Sequence, residues 1–291
     1  MILCFDDYAE QAGELADALA MPCKLVDRHR FPDGEVKLTL PVALPAQVII
    51  YRSLDHPNEK LVELLLAARA AREQGVKELI LVAPYLCYMR QDIAFNPGEV
   101  VSQRIIGRFI ADLFDTVLTV DPHLHRVHHL KQAVPAKRAL ALQATPAMAA
   151  FLRTHASNPI LLGPDSESEQ WVKAVAEPDG LRYATCTKQR LGDREVSITL
   201  PDIDFRDQSV VLLDDIISSG ETIARAAVAC REQGVASVDV LVTHALFAPG
   251  AESLLKDAGV RHVWSTNSVR HKTNAVSLVA LLGDALRSWL H

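Results

Sequence analysis

Short, nearly unbroken apolar runs alternate along this chain with longer stretches in which apolar residues recur every three or four positions. The runs, such as Val48-Ile49-Ile50-Tyr51 and Val210-Val211-Leu212-Leu213, have the length of strands. The stretches have the length and period of amphipathic helices. Runs apolar at every position predict strands covered on both faces, and their alternation with helices predicts βαβ units with right-handed crossovers in parallel sheets. The pattern predicts strands over 2–5, 35–40, 47–51, 78–83, 116–120, 160–163, 182–187, 195–200, 209–213, 237–244 and 262–266. It predicts helices over 61–71, 102–113, 146–155, 169–176, 223–230 and 275–290.

The string Arg72-Glu73-Gln74-Gly75-Val76 recurs unchanged as Arg231-Glu232-Gln233-Gly234-Val235. Each copy is preceded by strand, loop and helix and is followed by a strand, with the glycine where a helix takes a left-handed C-terminal cap. Matching flanks at matching spacing make the chain an internal duplication. With 291 residues, two α/β domains are expected, 1–143 and 144–291, with the last helix free to pack on the first domain. The boundary falls before a helix read as capped by Thr145 and started by Pro146.

Composition narrows the class without giving the chemistry. Hydrophobic residues are 49% and charged residues 23%, which fits a folded chain and excludes a disordered or collagenous one. No apolar run approaches the roughly 20 residues of a membrane-spanning helix, and the acidic N-terminus does not read as a signal peptide. A net charge of −6 argues against a general nucleic-acid binder. The five cysteines are scattered without a CxxC pair, as in a reduced cytoplasmic compartment. Of the histidines in His123-Leu124-His125-Arg126-Val127-His128-His129, His125 and His129 would share a face if helical; no cysteine lies nearby, and zinc is disfavoured.

The most informative segment is Leu213-Asp214-Asp215-Ile216-Ile217-Ser218-Ser219-Gly220-Glu221-Thr222. An acid pair ends a buried strand, where open α/β sheets bind ligands. A turn rich in hydroxyls then opens a helix, whose free N–H groups cradle a phosphate. Asp214 and Asp215 are placed to accept from sugar hydroxyls. The competing reading makes Ser218 or Ser219 a helix cap, with Glu221 completing a capping box. The corresponding loop of the first copy, Arg52-Ser53-Leu54-Asp55-His56-Pro57, lacks the acid pair and the glycine, so one phosphosugar site is expected.

These residues resemble the phosphoribosyl-binding loop of type I phosphoribosyltransferases. The whole chain is similar, in order, to the ribose-phosphate pyrophosphokinase family, which carries that fold twice. Phe31-Pro32-Asp33-Gly34-Glu35 resembles the family's FxDGE loop, and Pro84-Tyr85-Leu86-Cys87-Tyr88-Met89-Arg90-Gln91-Asp92 its PYxxYxRQD segment. Asp121-Pro122-His123 and Lys188-Gln189-Arg190 resemble its D-x-H and KxR elements. The resemblance implies two phosphoribosyltransferase-like α/β domains with mainly parallel sheets, the first on the ATP side and the second on the ribose 5-phosphate side. It implies transfer of the diphosphoryl group of MgATP to the 1-hydroxyl of ribose 5-phosphate, giving phosphoribosyl pyrophosphate and AMP. It assigns ATP to Phe31, Asp33, Glu35, Arg90, Gln91, Asp92 and His123, and catalysis to Lys188 and Arg190. It assigns ribose 5-phosphate to Asp165, Asp214, Asp215, Ser218, Ser219, Gly220 and Thr222, and Mg2+ to His123 and Asp165. It further implies self-association, at least a dimer, because the FxDGE loop completes a neighbour's ATP site.

The residues allow this chemistry. Lys188 and Arg190 are cations two positions apart that point the same way if extended, before the turn-like Leu191-Gly192-Asp193, and would serve developing phosphate charge. Arg90 can fork onto phosphate, and Phe31 offers a stacking face. Phe31–Glu35 also reads as a plain Pro-Asp-Gly turn between strands. Three departures from the family stand out, the first being Ser218, where many members have Asp. Asp165 is followed by Ser166 and Glu167 where glycines are usual, and Glu221 replaces a small residue beside the phosphate turn. Glu167 would crowd the sugar or join Asp165 on the metal. Two alternatives follow: a non-catalytic regulatory homologue, and a phosphoribosyltransferase that consumes phosphoribosyl pyrophosphate.

Overall fold

The computed structural model describes residues 1–124, 126–190 and 196–290, and for 188–190, 196 and 197 the backbone alone. The chain divides into two compact units, Met1–Gln143 with Val279–His291, and Ala144–Leu278.

In unit 1 the elements run β1 (Ile2–Cys4), α1 (Ala9–Ala18), β2 (Cys23–Leu25), β3 (Asp27–Arg30), β4 (Val36–Thr39), β5 (Gln47–Tyr51) and α2 (Pro57–Glu73). They continue with β6 (Glu78–Ala83), α3 (Ser102–Leu113), β7 (Thr116–Val120), α4 (Leu130–Ala133) and β8 (Arg138–Leu142). Unit 2 runs α5 (Thr145–His155), β9 (Ile160–Gly163), α6 (Glu169–Ala176), β10 (Tyr183–Thr185), β11 (Thr187–Arg190), β12 (Val196–Thr199) and β13 (Ser209–Ile217). It continues with α7 (Glu221–Glu232), β14 (Ser237–Ala245), α8 (Ala251–Asp257), β15 (Val263–Thr266) and β16 (Asn274–Val276). The last helix, α9 (Val279–Arg287), belongs to unit 1, where Gly283 lies against Leu15 of α1.

Each unit is built on a six-stranded sheet, of order β2-β1-β5-β6-β7-β8 in unit 1 and β10-β9-β13-β14-β15-β16 in unit 2. Every pairing within both sheets is parallel. The unbroken apolar runs explain this. Val48, Ile49, Ile50, Leu79, Ile80 and Leu81 are all fully buried, as are Val210–Leu213, because helices cover both sheet faces. Each unit also carries an antiparallel two-stranded ribbon, β3–β4 and β11–β12.

The duplication is legible in both units. β5-α2-β6 and β13-α7-β14 are the same βαβ unit, and Gly75 and Gly234 follow their helices at φ 95° and 76°. After α2, Gly75 N–H donates to Arg72 O and Val76 N–H to Ala71 O, the paired bonds of a Schellman cap.

Several expectations are corrected. The strand placed at 209–213 runs on to Ile217, so the acid pair lies within it, because Asp214 and Ile216 stay in register with β14. The stretch expected as one helix over 275–290 begins as the edge strand β16, since Asn274 and Val276 complete the sheet against β15. The run at 182–187 breaks at Cys186 into β10 of the main sheet and β11 of the ribbon. Thr145 is the first residue of α5 instead of its cap, and the cap position, Ala144, makes no side-chain bond. Leu191-Gly192-Asp193 and His125 lie outside the described residues.

Candidate active site

Both sheets reverse their strand order at one point, between β1 and β5 in unit 1 and between β9 and β13 in unit 2. Connections leave in opposite directions there and open a crevice at the carboxyl ends of the two strands. The sequence fills the two crevices differently.

In unit 2 the crevice holds acids. Asp165 follows β9, and Asp214 and Asp215 lie toward the end of β13. Burial first, then the negative fields of Asp215 and Asp165, push the Asp214 carboxyl well above the usual carboxylate range. Asp214 thus feels both of the other carboxyl groups at the switch point. Beyond them, Ser218, Ser219 and Gly220 lead into α7. Gly220 takes φ 76°, a left-handed conformation that glycine adopts without strain, and it is the N-cap of α7 with no side-chain bond. Glu221 N–H lies 3.5 Å from Ser219 Oγ, the outer limit of a hydrogen bond, and no capping box forms. Thr222 sits in the first turn of α7. The neighbouring segment braces this loop from behind, as Ala248 N–H donates to Ser218 O at 2.9 Å and Leu246 N–H to Ile217 O at 3.0 Å.

The departures after Asp165 form a single 3-10 turn, Ser166–Ser168. Asp165 is its N-cap and accepts from Glu167 N–H at 3.1 Å, while Ser168 Oγ donates back to Asp165 O at 2.6 Å. Gly163 permits this tight return. A Cβ there would stand 2.3 Å from Ser168 Oγ and 2.8 Å from Thr185 Cγ2. Ser166 and Glu167 are exposed.

In unit 1 the equivalent crevice is closed by its own ions. Arg52, fully buried after β5, donates to Asp7 and to Glu63, and Lys60 donates to Asp55 at 2.6 Å and lies 3.4 Å from Asp7. The Arg52 guanidinium also lies 4.0 Å from the centre of the Phe5 ring. In the sequence Arg52 stands only where the second copy has an acid; a cation directly after an apolar strand is the signal for a buried pair.

The segment 84–92 lies on this unit and is held at several points. Tyr85 N–H donates to Ser53 Oγ, Leu54 N–H to Tyr85 O, and Gln103 of α3 donates from its side chain to Met89 O and from its backbone to Gln91 O. Tyr88, at φ 60°, donates to Asn58 of α2. This leaves Arg90 exposed, with Gln91 partly buried and its amide on Ile93 O. Asp92 pairs with Arg126 at 2.7 Å. Neither Gln103 nor Arg126 belongs to a motif of the sequence, although a glutamine on the buried face of an amphipathic helix marks a polar contact. Asp121 directly follows β7 at φ 37°, and His123 lies two positions further on, partly buried.

The FPDGE segment is the loop of the β3–β4 hairpin. Phe31 N–H donates to Glu35 O at 2.8 Å, Gly34 N–H to Phe31 O at 3.0 Å and Glu35 N–H to Asp33 Oδ1 at 3.1 Å. Phe31 is 40% exposed and meets His29 edge-on. Lys188 and Arg190 occupy β11 opposite Ile198 and Val196, two register positions apart. Among the described residues, no group of three or more His, Cys, Asp or Glu is arranged to hold a metal ion. No helix among them is long and apolar enough to cross a membrane.

A doubly wound sheet with acids and a hydroxyl-rich turn at its switch point defines the phosphoribosyltransferase class of fold. The two units match two family models: residues 1–117 the N-terminal domain of ribose phosphate pyrophosphokinase, and residues 136–280 the phosphoribosyl transferase domain. A ribose-phosphate pyrophosphokinase of Methanopyrus kandleri is 32% identical over 290 residues, covering 99% of each chain. Proteins of that name from Thermoplasma acidophilum and Halobacterium salinarum are 31% and 32% identical over 97% and 98% of this chain. The crystal structure of phosphoribosylpyrophosphate synthetase from Mycobacterium smegmatis superposes with a TM-score of 0.84 at 21% identity, over 99% of this chain and 98% of that one, and shows the shared fold. The chain belongs to the ribose-phosphate pyrophosphokinase family.

Proposed function

We propose that this chain transfers the diphosphoryl group of MgATP to the 1-hydroxyl of ribose 5-phosphate, releasing AMP and phosphoribosyl pyrophosphate. The observation that carries the reading is the contrast between the two switch points. Unit 2 presents the buried Asp214 with Asp215 and Asp165 beside an uncapped, hydroxyl-rich helix N-terminus, whereas unit 1 fills the same place with Arg52 and Lys60.

In this reading unit 2 takes the acceptor. The N–H groups and hydroxyls of Ser218, Ser219, Gly220 and Thr222 hold the 5-phosphate at the positive end of α7. Asp214 and Asp215 accept from the ribose hydroxyls. Unit 1 takes the donor: Arg90, Gln91 and Asp92 form its binding segment, and His123 serves the metal-bound phosphates. Lys188 and Arg190 stabilise charge that develops on the transferring group, a role electrostatics performs well where water is excluded.

The donor set fits a hard dication. Asp165 brings carboxylate oxygen beside the buried Asp214, and magnesium prefers such oxygen ligands while keeping water. His123 would hold Mg2+ on the donor side, in unit 1, and Asp165 on the acceptor side, in unit 2; bound there, the ion would neutralise phosphate charge and help align the diphosphoryl group. Phe31, Asp33 and Glu35, on the exposed hairpin loop, complete the ATP site of a neighbouring copy, so the active form is at least a dimer. The protein works in the cytoplasm.

The test is direct: purified protein with MgATP and ribose 5-phosphate, assayed for AMP and phosphoribosyl pyrophosphate in equal amounts. Absence of both products, with ribose 5-phosphate still bound, would favour the regulatory-homologue reading, for which the Ser166–Glu167 departure is the supporting observation.

A further inference from the structure

The side chain of Asp92 is almost wholly buried, 3% exposed, yet only one of its oxygens is engaged among the described residues. Oδ1 accepts from Arg126 Nη1 at 2.7 Å, whereas Oδ2 has no hydrogen-bond partner among those residues. A buried carboxylate without a cation is costly, so Asp92 holds Arg126 firmly in place. Phe95 supports the arginine from another side, its ring centre 5.9 Å from the guanidinium carbon. The Arg126 side chain is nonetheless 51% exposed. Of its five N–H donors, the bond to Asp92 uses one, and a guanidinium so anchored loses little freedom on taking a planar anion. Two positions before Asp92 stands Arg90, also exposed. The local chemistry is therefore an exposed guanidinium anchored on a buried carboxylate, with a second exposed arginine two positions before that acid in the chain, a pattern suited to a polyphosphate.

We propose that Arg126 is a further phosphate-binding residue of the donor site, and that Asp92 is its positioning residue and does not itself touch the nucleotide. The free Oδ2 is the second acceptor that lets Arg126 turn into a two-bond fork while keeping its anchor. This inference rests on the reading of 90–92 as the donor segment and alters it in one respect, since Asp92 then acts through Arg126.

The test measures binding of α,β-methylene-ATP with magnesium by calorimetry, and of adenosine by competition. Arg126→Ala is expected to weaken the ATP analogue by about tenfold or more, the usual worth of a charge-assisted bond, and to leave adenosine unchanged. Arg126→Lys should recover part of the loss. Asp92→Ala should weaken the analogue similarly, and the double variant should bind no worse than Arg126→Ala alone. Unchanged binding of the analogue by Arg126→Ala would overturn the assignment. So would a further tenfold loss when Asp92→Ala is added to Arg126→Ala, because Asp92 would then contact the nucleotide itself. A parent protein that binds neither probe would overturn the donor-site reading and this inference with it, a result distinct from failure at Arg126 alone.

Discussion

Arg52 donates to Asp7 at the switch point of unit 1, the place where unit 2 buries Asp214 in the fields of Asp215 and Asp165. Duplication supplied two crevices, and an ion pair closed one. Arg52 also donates to Glu63, whose side chain is fully buried and is shared with Arg28. Arg52→Met is expected to lower stability by about 3 kcal/mol, because removing one member of a buried pair strands the other. Glu63 keeps Arg28, which limits the loss. Urea unfolding of parent and variant checks this, and equal midpoints would show that the pair contributes nothing.

The catalytic assignment predicts a specific kinetic pattern. Lys188→Ala should lower kcat by about 100-fold or more with little change in either KM, since a cation that acts mainly in the transition state contributes little to ground-state binding. Steady-state assays with each substrate varied in turn distinguish this from a binding role, for which KM would rise at constant kcat. Arg190→Ala should behave alike.

The composite ATP site predicts complementation between two inactive variants. A chain altered at Phe31, Asp33 and Glu35 and a chain carrying Lys188→Ala, mixed under conditions of subunit exchange, should regain activity, since a mixed dimer holds one intact site. A fully active monomer in sedimentation would remove the role of the hairpin loop.

The turn after Asp165 makes two opposed outcomes readable. Ser166→Gly with Glu167→Gly should lower the KM for ribose 5-phosphate if these exposed residues crowd the sugar. It should abolish activity and shift the magnesium requirement if Glu167 shares the metal with Asp165. Ser168, whose hydroxyl ties the turn back to Asp165 O, stays in place in this variant. No change in activity, sugar binding or magnesium dependence would move Asp165 out of the site.

Asp115 predicts the acid limit of unit 1. Burial alone would raise its pKa, but bonds from Lys137, Arg72 and Leu79 N–H outweigh burial and hold it at about 2. A depressed carboxylate contributes stability above its unfolded value of 3.8 and loses it as pH falls through about 2. Asp115→Asn should therefore cost on the order of 2 kcal/mol at neutral pH, with the difference from the parent disappearing between about pH 4 and pH 2. Denaturant titrations across that range measure it.

The hydrophobic pattern carried most of the two sheets, because strands buried on both faces announce themselves as unbroken apolar runs. The repeat at Arg72 and Arg231 located both βαβ units and their glycine caps. Edge elements were harder. β2, β3 and β16 have exposed or half-exposed positions, and β8 reads Arg-Ala-Leu-Ala-Leu, so neither burial nor β-branching marked them. α1 was missed because its alanines and acids give weak periodicity. In the candidate site, the acid pair and the turn at 218–220 stood out because their local chemistry is unusual. Arg52, Gln103 and Arg126 did not, since each takes its meaning from a partner distant in sequence: Asp7, Met89 and Asp92.

One connection bears on how the chain is made. Unit 1 receives its final helix, α9, only after the whole of Ala144–Leu278, and α9 packs on α1 through Gly283 and Leu15. During synthesis unit 2 emerges as one contiguous segment, able to close its sheet as soon as β16 appears. The earlier-made unit must wait, its α1 face uncovered, until the later one has been translated. The order of synthesis and the order of completion are thus reversed, and α1 is the surface that a nascent-chain chaperone would have to shield.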